Sequence, residues 1–141
     1  MVLVYDPKNV SVIVGGKIIS GFADGTFIKC ERNEQAWNLK VGVDGEGARA
    51  KNNNKSGKIT LTLMQTSSSN DVLSAYALAD ELGNAGAVPV YIKDHNGTSV
   101  ATALTAWVQK FPDFEDAKEI SMRSWVLETD ELVLNIGGNN A

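Results

Sequence analysis

KITLTLMQTSSSNDVLSAYALADELG, residues 58–83, changes its hydrophobic period halfway along. Ile59, Leu61 and Leu63 alternate with Lys58, Thr60 and Thr62, the two-residue period of a strand with one face on a core. From Ser69 onward, Val72, Leu73, Tyr76, Ala79 and Leu82 recur at three- and four-residue spacing. Ser68 or Ser69 can cap the first amides, Asp71 sits in the first turn, and Gly83 follows the last apolar residue. The stretch predicts a strand that leads straight into a helix over 69–82. That helix stands alone among segments that read as hairpin-linked strands, which argues against alternating βα units and a parallel sheet. The expected fold is mainly β: an antiparallel β-barrel or sandwich with one α-helix packed on its side and a long extended loop.

Outward from this stretch the period stays at two. Trp37, Leu39 and Val41 alternate with Asn38 and Lys40, again a strand with one face on a core. Asp24-Gly25 lies between KIISGFA and TFIKCE, and Asn96-Gly97 between VPVYIKD and TSVATALTAWVQK; both dipeptides tolerate the positive φ of tight turns and predict hairpins. A third hairpin is expected between 117–129 and 131–136 around the acidic corner at Asp130. The run VGVDGEGARAKNNNKSG, residues 41–57, is charged and almost empty of apolar side chains. A structureless loop of this length is uncommon in a compact domain, so we expect a neighbouring copy of the chain to order it, its Gly and Asn content keeping it unordered before assembly.

The 141 residues suit a single domain, 1–141, that buries its own core without disulfides or a metal. Thirteen Lys and Arg against 17 Asp and Glu give a net charge of −4, so the chain as a whole does not attract phosphate backbones or anionic lipids. The one cysteine, Cys30, excludes an internal disulfide and reads as a buried, inert thiol on the apolar face of a strand. The N-terminus MVLVYDPKN lacks a signal-peptide pattern and no apolar run has the length of a membrane span. A soluble protein made in the cytoplasm, with no membrane binding, is expected. The Asn-x-Ser/Thr triplets at Asn9, Asn54 and Asn96 then carry no glycan.

Catalytic chemistry finds little material. His95 is the only histidine and falls in a Lys-Asp-His-Asn-Gly turn; with one cysteine it supplies neither a hydrolase triad nor a histidine-based zinc site. Gly45-Glu46-Gly47-Ala48-Arg49-Ala50 fits a dinucleotide fingerprint formally, but the next residues, Lys-Asn-Asn-Asn-Lys-Ser-Gly, do not make a helix that could hold a pyrophosphate. Asp44 and Glu46 lack the remaining ligands of a calcium loop. Arg49, Lys51, Lys55 and Lys58 form a basic cluster without aromatic residues for base stacking, better suited to a neighbour's carboxylates than to nucleic acid. No enzymatic activity, cofactor or metal is expected.

Two strands look apolar on both faces. In 98–109, Val100, Leu104 and Val108 fall on even positions, and Ala101, Ala103 and Trp107 on odd ones. In 120–127, Ile120, Met122 and Val126 point one way, Trp125 and Leu127 the other, with Arg123 beside them. Such strands are covered on both sides, and self-association supplies the second cover. Trp107, Trp125 and Arg123 are the candidate anchors of an interface or of the core.

The order of these segments resembles the tail tube proteins of contractile-tailed bacteriophages, whose fold is similar to that of type VI secretion and bacteriocin tube proteins. The likeness is strongest in SGFADGTFI, residues 20–28, and KITLTLMQTSSSNDVL, residues 58–73. It implies hexameric rings whose sheets join into one inner barrel, stacked inside a sheath, with contacts to baseplate and tail terminator proteins. The tape measure protein and DNA pass through the lumen of such a tube. It implies a virion component assembled in the host cytoplasm. The loop at about 42–57 takes the role of reaching a neighbouring subunit or ring, with Asp44, Glu46, Arg49, Lys51, Asn53 and Lys55 as its contacts. Lys58, Thr60 and Thr62 are candidate lumen-facing positions, the lysine departing from a purely acidic channel. Two alternatives stay open, a secretion or bacteriocin tube and a monomeric β-barrel binding module with the polar loop as lid.

Overall fold

The computed structural model describes residues 2–139. After a short 3-10 turn at Pro7–Asn9 the chain forms β1 (Val10–Val14), β2 (Lys17–Ile18), β3 (Ile28–Arg32), β4 (Trp37–Val41), β5 (Gly47–Lys51) and β6 (Gly57–Met64). Helix α1 (Ser69–Gly83) comes next, then β7 (Val88–Asp94), β8 (Val100–Lys110), β9 (Met122–Thr129) and β10 (Val133–Asn135). Eight strands make one antiparallel sheet in the order β2-β1-β7-β8-β9-β6-β3, with β10 also on β8. β4 and β5 form a separate two-stranded sheet.

The expected mainly β, antiparallel architecture with one helix is what the chain adopts, as an open, sandwich-like sheet and not a closed barrel. Its end strands β2 and β3 share no ladder. The segment between them spans the gap: Ile19 N–H donates to Val12 O of β1, and Met64 N–H of β6 donates to Gly21 O.

Two expected hairpins do not form. Both flanks of Asp24-Gly25 bond to a single residue of β6, Ala23 N–H to Thr62 O at 3.0 Å and Thr62 N–H to Phe27 O at 3.0 Å. The turn straddles β6 because that strand offers a free edge, and Phe22 and Ile28 pack on the core there. The first true hairpin lies earlier, β1 to β2 over Gly15-Gly16, both at positive φ. β9 does not pair with β10, because β6 and β8 already occupy both edges of β9; β10 pairs with the start of β8 instead. The Asn96-Gly97 hairpin, β7 to β8, forms as read.

The core gathers one face of each long strand: Val12, Val14, Ile59, Leu61, Leu63, Val90, Ile92, Ala101, Ala103, Trp125 and Leu127, with Leu73 of α1 and Leu132. A bulge in β8 between Ala103, opposite Val90, and Ala106, opposite Val88, breaks its alternation. Ala106 is therefore buried and Val108 packs on the core, while Leu104, expected on the face of Val108, is exposed. α1 ends at Asn84 in the left-handed region, one residue beyond the expected Gly83. Its start is secured by Ser67, whose Oγ accepts from Ser69 N–H, and by Asn70; the Ser68 side chain makes no cap bond.

Candidate functional site

The segment expected to be a structureless loop is an ordered β-hairpin. Trp37 faces Lys51, Leu39 faces Arg49 and Val41 faces Gly47 in register. Gly42 N–H donates to Glu46 O at 2.8 Å, which leaves a three-residue loop, Val43 to Gly45, with Gly45 at φ 87°. This is the type I turn plus left-handed residue that three-residue hairpin loops favour, and Asp44 Oδ1 supports it by accepting from Glu46 N–H. At the base, Asn52 N–H donates to Ala36 O and its side chain to Glu34. Asn54 Oδ1 accepts from Ser56. The asparagines thus act as turn scaffolding, which orders the run without a partner chain.

Every residue of β4 and β5 is exposed, and neither strand packs on another strand or helix to a comparable extent. The expectation that Trp37, Leu39 and Val41 rest on a core is therefore corrected. They line an open face, at 43%, 71% and 60% exposure. Residues in register share a face, so Arg49 and Lys51 flank this apolar stripe; the Arg49 guanidinium lies 4.0 Å from the Trp37 ring centroid. Asn38, Lys40, Ala48 and Ala50 form the other face. Alternation in the sequence reports that a strand has an apolar face, not what covers it.

Of the remaining expected contacts, Asp44 and Glu46 sit at the tip and Asn53 is exposed beyond β5. Lys55 stands apart at the base, where its carbonyl accepts from Leu132 N–H at 2.8 Å. The structure therefore brings Arg49 and Lys51 together and leaves Lys55 with the body of the domain.

The sheet face opposite the core divides in two. Glu31 of β3, Lys58 of β6, Glu128 of β9 and Trp107 of β8 form one transverse row by register. Lys29, Thr60 and Val126 form the next. Thr62 is buried, its Oγ1 3.4 Å from Ser124 Oγ, and offers little surface. In the other half, Ile18, Ile13, Tyr91, Thr102 and Val133 align across five strands, an apolar row open to solvent beside Leu104 at 87% exposure.

The two tryptophans differ. Trp125 is a core residue, and Trp107 is half-buried. Arg123 Nη2 lies 3.9 Å from Asp116 Oδ1. His95 is exposed, with Nε2 3.1 Å from Ser11 Oγ. Gly47–Lys51 being a strand, no helix succeeds the glycine run that formally fits a dinucleotide fingerprint. Cys30 lines an apolar cleft of about 390 Å³ between β3 and the β1, β7 and β10 side, and burial pushes its thiol up to about 11. No helix among the described residues is long and apolar enough to cross a membrane.

An open antiparallel sheet with one side helix and a free-standing hairpin is a fold shared with components of contractile injection systems. The chain matches a solved structure of the anti-feeding prophage cap, which terminates its tube, with TM-score 0.65 and 12% identity over 97% of this chain and 94% of that one. A chain of the extended PVC sheath–tube complex, an extracellular contractile injection system, matches with TM-score 0.62 and 14% identity over 93% and 90%. A chain of the PVC sheath/tube terminator matches with TM-score 0.61 and 15% identity over 93% and 96%. In sequence, Structural protein ORF10 of Pseudomonas phage KPP10 is 27% identical, with 96% of this chain and 83% of that protein covered. The family model of the Bacteriophage PhiTE tail tube protein matches residues 10–137, and the chain belongs to that family. It is a structural protein of a phage tail, of the tail tube type.

Proposed function

We propose that this chain is the repeating subunit of the tail's inner tube: copies close into hexameric rings, the rings stack, and the tape measure protein and DNA occupy the lumen. The role is structural, without catalysis, cofactor or metal, in a virion tail assembled in the host cytoplasm. The observation that carries this reading is the β4–β5 hairpin. A two-stranded ribbon is at best marginally stable alone in water, and this one holds an apolar stripe on β4 open beside two cations on β5. A neighbouring subunit is the natural cover. The open apolar row through Ile13 and Tyr91 and the unpaired sheet ends at β2 and β3 add further surfaces that ring closure would bury. Sheath, baseplate and terminator proteins are the expected partners, in keeping with the fold shared with a sheath–tube complex.

Sedimentation velocity with parallel negative-stain microscopy across a wide concentration range tests this. Hollow tubes or stacked rings are the expected result, and a monomer at every concentration contradicts it. A second reading, a tube terminator, is favoured by the likeness to a tube-terminating cap and to a sheath/tube terminator. It is distinguished by single rings that do not stack.

A further inference from the structure

One end of the core stands open. The cleft of about 390 Å³ between β3 and the β1, β7 and β10 side is walled by Ile92 and Ala101 of the buried core, with Ile28, Cys30 and Leu134 packed against them. It is open because β3 pairs with β6 alone and leaves its outer edge without a ladder. An unpaired edge beside an apolar hollow invites foreign pairing unless something covers both.

The chain brings a cover to that mouth. Residues 2–5, Val-Leu-Val-Tyr, are apolar, rich in strand-forming side chains and exposed. Tyr5 already lines the cleft. Just behind it the chain is fixed: Asp6 N–H donates to Asn96 Oδ1 at 3.0 Å, and Asn96 Nδ2 donates to Asp6 O at 2.8 Å and to Asp94 Oδ1 at 3.0 Å. Asn96 is buried, so its amide clasps both backbone groups of Asp6 as a neighbouring strand does. Ahead of this clasp, residues 2–5 make no backbone–backbone hydrogen bond among the described residues. In an extended chain Leu3 shares the side of Tyr5, while Val2 and Val4 take the other. Exposure follows that division, with Leu3 and Tyr5 at 62% and 51% against Val2 and Val4 at 88% and 67%. Two residues span about 7 Å, so Leu3 reaches the cleft without moving the clasp.

We infer that residues 2–5 form a strap that closes the cleft of their own chain, Leu3 entering beside Cys30 and the arm's backbone lying along the free edge of β3. The closure takes place within one copy and does not depend on the self-assembly reading. A free subunit thereby keeps an edge strand covered. The native thiol reports it. At high dilution, Leu3→Cys oxidised with copper-phenanthroline should form an intrachain disulfide to Cys30, read as a faster-migrating monomer on a non-reducing gel together with loss of thiol titre. Val4→Cys, on the opposite side, should not. Removing residues 2–4 should speed iodoacetamide alkylation of native Cys30 at least about fivefold. The far-ultraviolet circular dichroism should stay unchanged, since the arm lies outside every strand and helix. A Leu3→Cys chain that keeps both thiols, joins to a second chain instead, or closes no better than Val4→Cys overturns the strap. So does an alkylation rate that the truncation leaves unchanged.

Discussion

The indole N–H of Trp125 donates to Oδ1 of Asn70 at 2.8 Å inside the core. The same asparagine donates to Met64 O and Ser67 O, so one amide joins β9, the end of β6 and the first turn of α1. That junction holds the helix against the sheet at the point where the hydrophobic period changes. Asn70→Ala leaves the buried indole donor without its acceptor, while Met64 O and Ser67 O keep their bonds from the backbone N–H groups of Ser67 and Asn70; the expected loss is about 1–3 kcal/mol. Urea unfolding monitored by tryptophan fluorescence measures it. A double-mutant cycle with Trp125→Phe should give a coupling of about 1 kcal/mol or more; additive effects would show that the bond contributes nothing.

Replacing Trp37–Lys51 by a two-residue Asn-Gly turn should leave the domain folded. Ala36 and Asn52, which the turn would join, already share a backbone hydrogen bond of 2.8 Å. The hairpin buries nothing against the body, so the urea midpoint should shift by no more than about 1 kcal/mol equivalent. Tube formation in negative stain should vanish. Normal tubes from this variant would remove the hairpin from the assembly contacts.

Trp125→Asp and Trp107→Asp separate the core role from the surface role. The first places a carboxylate among Leu61, Leu127 and Phe111 and should prevent folding, read as loss of near-ultraviolet circular dichroism. The second stands opposite Glu128 in register at a half-buried position and should fold, with a loss of about 1–2 kcal/mol. Equal effects would mean that Trp107 is as deeply engaged as Trp125.

Burial holds the Cys30 thiol up at about 11 against an ordinary 9.0. The thiol should react slowly with iodoacetamide near neutral pH in the native protein and fast in urea. For stability the raised value favours the folded, neutral form. This contribution is complete below pH 9 and is lost as pH rises through 9 to about 11. A native alkylation rate equal to the denatured rate at pH 8 would show an open cleft.

Much of this was legible where a local signal and the final contact coincide. The strand-to-helix switch at 58–83 and the Asn96-Gly97 turn are of that kind, since each is decided by residues a few positions apart. The Asp24-Gly25 turn was legible as a turn and not as a hairpin, because its flanks prefer the free edge of β6 to each other. β5 was hidden by composition. Gly-Ala-Arg-Ala-Lys has weak strand preference, and its strand exists through pairing with Trp37–Val41 and the tight loop at Gly45. In the candidate site the cations Arg49 and Lys51 were readable as charge, while the stripe they flank was not, because Trp37 and Leu39 carry the same alternation as a core strand.

Lys58 lies between Glu31 and Glu128 in register, so the row carries one net negative charge despite its lysine. A lysine bracketed in this way leaves its row weakly acidic. Lys58→Glu sets three carboxylates side by side and should cost about 1 kcal/mol, from like charges directly opposite one another. The half-burial of Lys58 leaves the row open to ions, so much of that loss should disappear in high salt. Urea midpoints at low and high ionic strength for the wild type, Lys58→Gln and Lys58→Glu measure both terms. Because the row makes no proposed subunit contact, Lys58→Glu tubes should reach wild-type length in negative stain. Shortened tubes with a folded subunit would place this row in an interface and turn the opposite, apolar half of the face toward the lumen.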